Sequence, residues 1–399
     1  MPTAGLVRPT PLPRDASPKI SNRIAFSPST LRFPERHQMA SSIRAAACHV
    51  SPIFLNARKT TDKAISLIKQ AASRKANLVV FPETFISAFP TWSAVRPPTE
   101  NHDLFQRMVQ ESIYADGEEI GGIREAARAN GTLVSLGFSE KSRHSNGCLF
   151  NSNLIIGTEG EILVHHRKLV PTFFEKLTWS PGDGHGLRIA ETQFGRIGGL
   201  ICGENTNPLA RYALMAQAEQ IHISTWPAIW PTRALQTRRR DDQKPPETSN
   251  VQGINYDNLA ANRTRAAAHC FEAKCFGIVC AGHLGEDAIE TVVDGASQPG
   301  AVAETLQAMP RAATFFLDPT GAPLPGFSFI ENGEKQKLDC LQNLEGILYA
   351  DMNLGDCVEG KQYHDVVGGY QRPDIFDLKV DRSRRHPVSF TERDVGEEP

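Results

Sequence analysis

Three ionisable side chains in this sequence each close an apolar run, and together their types suit attack on a polarised carbon. Glu83 ends Leu78-Val79-Val80-Phe81-Pro82-Glu83, Lys168 ends Ile162-Leu163-Val164-His165-His166-Arg167-Lys168, and Cys202 follows Gly198-Gly199-Leu200-Ile201. A free thiol is only a few per cent ionised at neutral pH, so a nucleophilic Cys202 needs a base or a cation beside it. Lys168 and Glu83 would supply both. A unit positive charge at ~4 Å is worth about 4 kcal/mol at an effective dielectric of ~20, or roughly three pKa units, which is ample to expose thiolate. An ionised glutamate cancels much of that gain. The expected resting form is a thiol beside ionised Glu83, which takes the proton only as Cys202 attacks.

The elements that must position these groups follow from pattern. Ile43 to Val50 reads as a buried first strand, and Ala57 to Lys75 as a helix with Ala64, Leu67, Ile68, Ala71 and Ala72 on one face. The strand bearing Glu83 follows, making a β-α-β start. A helix over 118–130 should end at Gly131 in a left-handed cap, before a strand at 132–138. Asn153 to Gly157 and Glu161 to Arg167 read as a hairpin that carries Lys168 at its end. After Cys202, Asn207 and Pro208 suit the N-cap and first turn of a helix reaching Glu219, with a strand at 221–225 beyond. Asn258 to Lys274 reads as a helix, Phe276 to Ala281 as a strand, and 313–327 as a second hairpin after an irregular stretch. Leu348 to Met352 reads as the last strand. Two hairpins in corresponding halves suggest two related β-rich layers.

This arrangement resembles the nitrilase superfamily of carbon–nitrogen hydrolases, whose catalytic glutamate, lysine and cysteine occur in this order and in these settings. The resemblance covers about residues 40 to 380 and implies an α/β fold, a four-layer α-β-β-α sandwich. Taken singly, a strand-end cysteine packs as a small hydrophobe, a glutamate after Phe-Pro caps a turn, and a basic run is a solvated face. Their joint occurrence in family order favours a catalytic site. On residue chemistry alone Glu175 reads as an exposed loop glutamate; the resemblance instead gives it the role of a second glutamate that orients Lys168 and the substrate or water. The blocks 165–172, 179–184 and 202–212 look like true nitrilases, the fungal arylacetonitrilases among them, rather than the amidase branches. Asn205 stands where cyanide-hydrating relatives typically have histidine, and Gly203 where many nitrilases have tryptophan. Asn205 is therefore a candidate substrate contact. Trp226 and Phe89, near the expected strand mouths, are candidates for pocket lining, with plain core packing as the alternative.

The implied reaction is cofactor-free hydrolysis of an aromatic or arylaliphatic nitrile to the carboxylic acid and ammonia, through a Cys202 thioimidate and then an acyl-thioester, with some amide by-product. The same three residues suffice for a cyanide hydratase or an aliphatic amidase of the superfamily. A third reading, a non-catalytic filament-forming protein, arises because members form dimers and many nitrilases extend into spiral filaments. A homo-oligomer is expected either way.

Composition agrees with a soluble intracellular enzyme. The 399 residues are 40% hydrophobic with a formal net charge of −2, which gives no electrostatic reason to expect a nucleic-acid partner. No apolar stretch approaches the roughly 18 residues of a membrane span, and the start lacks a signal-peptide core. The first 38 residues hold five arginines against two acids, many Ser and Pro, and no sustained period. They read as a disordered extension, or as sequence upstream of a start at Met39. Organelle import is the lesser alternative, since the prolines oppose an amphipathic helix, and a cytoplasmic location is expected. The catalytic domain is expected over 39–380 and a flexible tail over 381–399. The charged, Pro-rich stretch 232–253 reads as a solvated loop. Eight cysteines without a CxxC read as reduced. Cys270, Cys275 and Cys280, with His269 and His283, raise a zinc site, but their gaps do not match usual ligand pairs and no metal is expected.

Overall fold

The computed structural model describes residues 42–232 and 257–388. The expected extension over 1–38 and nearly all of the charged loop lie outside these residues. Within them, strand β1 (Ser42–His49) shows how the sequence builds layers. Ala46 and Cys48 pack toward one side, while Ile43, Ala45 and Ala47 pack toward the other. Such a strand, apolar on both faces and rich in small residues, fits only where both faces are covered.

The remaining strands are β2 (Leu78–Val80), β3 (Leu133–Lys141), β4 (Leu149–Ile156), β5 (Ile162–Arg167), β6 (Ala190–Thr192) and β7 (Gly195–Ile201). They continue with β8 (Ile221–Trp226), β9 (Phe276–Ala281), β10 (Phe315–Leu317), β11 (Pro323–Leu324), β12 (Gly326–Phe329), β13 (Lys335–Leu338) and β14 (Gly346–Asn353). One sheet runs β13-β12-β14-β1-β2-β3-β4-β5 and the other β11-β10-β9-β8-β7-β6. In each, a central parallel triple, β1-β2-β3 and β7-β8-β9, is flanked by antiparallel neighbours.

Four layers result. The Ala57–Ser73 and Glu118–Asn130 helices cover the outer face of the larger sheet through Ala64, Ile68, Ile120 and Ile123 against Val79, Val134 and Leu136. Its inner face meets the smaller sheet through Ala45, Leu78 and Val80 against Ile197, Ile223 and Ile278. The smaller sheet's outer face is covered by the Asn258–Ala273 helix, with Ala266 and Cys270 against Val279 and Phe315, and by the Pro208–Met215 helix through Ala210 and Leu214 against Leu200. This is the α-β-β-α sandwich. Both cap expectations hold: Gly131 has φ 57°, and the Asn207 side chain accepts from the N–H groups of Leu209 and Ala210.

Three expectations fail in detail. The second hairpin pairs only β10 with β11, because the chain then crosses to the other sheet, where β12 joins β13 and β14. The stretch read as irregular holds two helices, Glu286–Val293 and Pro299–Ala308, whose Val292, Val302 and Leu306 bury against Trp92 and Met108. Residues 381–385, assigned to a flexible tail, carry specific contacts: Arg384 pairs with Asp183 at 3.2 Å and donates to the His165 carbonyl at 3.1 Å. Asp183 caps a short turn at 184–186, so a half-buried carboxylate beyond β5 accepts from the Arg384 side chain and from the Arg385 N–H at 3.0 Å. Among the described residues no helix is long and apolar enough to cross a membrane.

Candidate active site

Glu83, Lys168 and Cys202 follow β2, β5 and β7, and the two sheets bring these strand ends together. Lys168 Nζ donates to Glu83 Oε1 at 2.9 Å and to both oxygens of Glu175, at 2.8 and 2.7 Å. The lysine and both glutamates are wholly shielded from solvent. One carboxylate oxygen each from Glu83 and Glu175 and the Cys202 sulfur all lie within 4.8 Å of one another. The structure thus places Glu175, left by residue chemistry as an exposed loop glutamate, inside the cluster. A capping box does this: Thr172 N–H donates to Glu175 Oε2 at 3.1 Å, and the Thr172 side chain in return accepts from the Glu175 backbone.

Charge in the cluster is set by burial and by Lys168. Burial works against the ammonium, but Cys202, Glu175 and Glu83 hold its pKa well above the ordinary lysine value. Burial pushes Glu175 up to about 7 against the pull of Lys168. Burial, then the charge of Glu83, raises the Cys202 thiol well above its usual value, Lys168 opposing. Cys202 therefore rests as a thiol. Glu83 Oε1 is committed to Lys168 and to Asn151 Nδ2, the latter at 2.7 Å, while Oε2 has no hydrogen-bond partner among the described residues. That free oxygen is the one able to take a proton.

The backbone is strained where the site needs it. Cys202 sits in the left-handed region at φ 52°, at the junction between β7 and the turn 202–206, and Thr84, beside Glu83, at φ 45°. Non-glycine residues held there cost of order 1–2 kcal/mol, so surrounding contacts must enforce them. At Thr84, β3 makes the room: a Cβ at Gly137 would meet the Pro82 carbonyl and lie 2.6 Å from Thr84 N. Near Cys202, the Asn205 amide donates to the carbonyls of Leu200 and Cys202 at 3.2 and 2.9 Å.

Two positioning residues escaped sequence reasoning. Asn151, on β4, holds Glu83 with its side chain and accepts the Lys168 N–H on its carbonyl at 2.8 Å. Glu204 accepts from Leu169 N–H at 2.5 Å, from Ile201 N–H at 2.9 Å and from His166 Nε2 at 2.9 Å. Burial opposes its charge, but His166 and the two N–H groups hold its carboxyl below the usual range. A glutamate two residues after the candidate nucleophile was a visible signal; Asn151 in mid-strand offered none.

The other nominated residues are placed as follows. Asn205 is 1% exposed with both amide hydrogens taken by backbone, so its contacts run to the loop carrying Cys202. Trp226 shares a buried cluster with Cys202 and donates to Ser224 Oγ at 2.8 Å. Phe89 and Glu83 both line a cavity of about 40 Å³, with Thr84, Ala228 and His283. Phe89 also packs edge-on against Phe174, Trp179 and Trp230, and Phe174 stacks on Trp230 at 4.4 Å, so an aromatic wall stands beside Glu175. Of the cysteine–histidine set considered for zinc, His269 and Cys275 gather with Glu219, their ligand atoms within 4.8 Å of one another, and Cys270 lies beside Cys275. His269 Nε2 lies 2.6 Å from Glu219 Oε2, a hydrogen bond between two of these groups. Cys280 instead donates to the carbonyls of Cys48 and Val80.

Residues 44–362 match the family model for carbon-nitrogen hydrolase. The chain belongs to the carbon–nitrogen hydrolase family. Within it, the chain is 31% identical over 353 residues to a nitrilase of Penicillium rubens, covering 88% of this chain and 96% of that protein. It is 30% identical to an arylacetonitrilase of Hypocrea virens over 339 residues, 85% of this chain and 91% of that one. A carbon-nitrogen hydrolase from Helicobacter pylori shares the fold with a TM-score of 0.56 at 19% identity, over 82% of this chain and 93% of that one.

Proposed function

We propose that this protein is a nitrilase, hydrolysing an aromatic or arylaliphatic nitrile to its carboxylic acid and ammonia. The observation that carries the reading is the ammonium of Lys168 clamped between Glu83 and Glu175, with the Cys202 sulfur beside them. As sulfur attacks the nitrile carbon, the thiol proton passes to Glu83. Charge developing on nitrogen is stabilised by Lys168 and the proton is returned there, giving a covalent thioimidate. Water deprotonated by Glu83 adds to that carbon, ammonia leaves, and an acyl-thioester remains. A second water releases the acid and restores the thiol, so two waters are consumed for one ammonia. When sulfur leaves before ammonia does, the product is the amide.

The aryl preference is supported by the aromatic wall of Phe89, Phe174, Trp179 and Trp230 and by the arylacetonitrilase among the relatives. Incubating the purified protein with aromatic, arylacetic and aliphatic nitriles, cyanide and the matching amides, with ammonia, acid and amide all quantified, tests it. Acid and ammonia from aryl nitriles are expected. Turnover of amides or of cyanide alone would move the protein to the amidase or cyanide hydratase reading.

We further infer that copies assemble into a homo-oligomer built on a dimer, and extending to a filament. Tyr363, Tyr370, Ile375 and Phe376 stand 59–74% exposed along one stretch of chain, apolar area that a second copy would cover. Light scattering coupled to size exclusion should find no monomer at micromolar concentration; a monodisperse monomer would refute the assembly.

A further inference from the structure

Behind the Cys202 turn lies a buried polar chain that the reaction as written does not use. His222 Nε2 lies 2.9 Å from Asn205 Oδ1, His222 Nδ1 lies 2.9 Å from Glu219 Oε1, and Glu219 Oε2 lies 2.6 Å from His269 Nε2. The two imidazoles stack, ring centroids 3.7 Å apart. His222 and His269 are wholly shielded, and Glu219 is 1% exposed.

Hydrogen-bond logic settles where the protons sit. Asn205 must aim its NH₂ group at the carbonyls of Leu200 and Cys202, since turning the amide over would set oxygen against two oxygens. Its Oδ1 therefore faces His222, and His222 Nε2 must carry a hydrogen. Nδ1 of the same ring faces a carboxylate, so one further proton lies between His222 and Glu219. His269 donates from Nε2, and its Nδ1 has no hydrogen-bond partner among the described residues, as in a neutral ring. Burial opposes the Glu219 charge, yet the two histidines hold its carboxyl down to about 2, while burial and His222 bring His269 down to about 4. Charge nearby comes from Arg211 on the Pro208–Met215 helix, ion-paired with Glu272 at 2.8 Å, and the thiols of Cys270, Cys275 and Cys357 lie on the same side.

We propose that His222 is a positioning residue of this enzyme: a buried imidazolium, paired with Glu219 and stacked on neutral His269, that holds Asn205 so that its amide keeps the Cys202 carbonyl, and with it the left-handed nucleophile, in place. The pair is neutral overall, which makes its burial tolerable, and removing one partner would strand the other charge. Room for it is reserved by Gly198 on β7, where a Cβ would collide with Glu219 Oε1. The role rests on Cys202 being the nucleophile; the protonation state does not.

Neutron diffraction from deuterated crystals of the unaltered protein reads the protons directly. Deuterons are expected on both nitrogens of His222, on Nε2 alone of His269, and on neither oxygen of Glu219. A His222 ring lacking either deuteron overturns the proposal without touching the assigned reaction. The role is read in Asn205→Asp, which keeps the shape but loses both donors to the Leu200 and Cys202 carbonyls. Its kcat should fall about a hundredfold, with KM little changed and Cys202 alkylated more slowly by iodoacetamide. An unchanged kcat and alkylation rate would overturn the positioning role. An active Cys202→Ala variant would instead remove the nucleophile reading while leaving the ring protons as they are.

Discussion

The Leu169 N–H donates to the Glu204 carboxylate at 2.5 Å, which ties the residue after Lys168 to the turn that carries Cys202. The other oxygen of the same carboxylate receives the N–H of Ile201, the residue before Cys202. Lysine and cysteine come from different sheets, so their spacing is set by this buried group rather than by any ladder of strand hydrogen bonds. Glu204→Gln keeps an acceptor but replaces one oxygen by a donor facing an N–H or His166. We expect kcat/KM to fall by about 10²-fold, and the melting temperature to drop because a buried N–H loses its partner. Steady-state kinetics and calorimetry check this; a variant with full activity would dissociate Glu204 from catalysis.

Cys202→Ala should abolish turnover of every nitrile while the melting temperature stays near that of the parent, because a single small side chain is lost. Ammonia release and a thermal melt on the same sample decide it.

Gly137→Ala should disable the enzyme without touching a reacting group. The new Cβ meets backbone on both sides of Glu83, at Pro82 and Thr84, and neither can swing away as a side chain could. A loss of activity exceeding that of Gly121→Ala, whose added Cβ meets nothing within 4 Å, is expected; equal activities would show that the 82–84 turn yields.

The pH dependence follows from Glu175, whose pKa burial raises to about 7. If its carboxylate form orients Lys168, kcat/KM rises with pH through about 7, and Glu175→Gln flattens that limb. Stability runs the other way. The folded state binds this proton more tightly than the unfolded chain does, so the contribution is complete below about pH 4.3 and is lost as pH rises through about 7. The melting temperature of Glu175→Gln relative to the parent should therefore increase from about pH 5 to about pH 8. A constant difference would show that Glu175 is ionised throughout.

How much was legible varies with how local the cause is. The Glu118–Asn130 helix and its Gly131 cap were readable because periodicity and a left-handed residue act within one turn. Glu83, Lys168 and Cys202 were readable because each ends an apolar run in an order shared with a family. Glu175 was not readable from its neighbours, since the ammonium that draws it inward is seven residues away and its burial depends on the meeting of two sheets. Asn151 and His222 were hidden for the same reason: each lies inside a strand, and only register shows what it faces. The helices at 286–308 were missed because their apolar partners, Trp92 and Met108, come from the other half of the chain.

Strand β1 sits inside the larger sheet, and its antiparallel partner β14 is near the other end of the chain, with Arg44 and Asp351 paired across 307 positions. A ribosome delivers residues in order, so β1 emerges and must wait while about 300 further residues are made before β14 fills one of its edges. The sheet that carries Glu83 and Lys168 closes only after β14 has emerged. Until then the nascent chain holds a thiol and no finished site, exposes an apolar strand edge, and depends on whatever shields such edges in its cell.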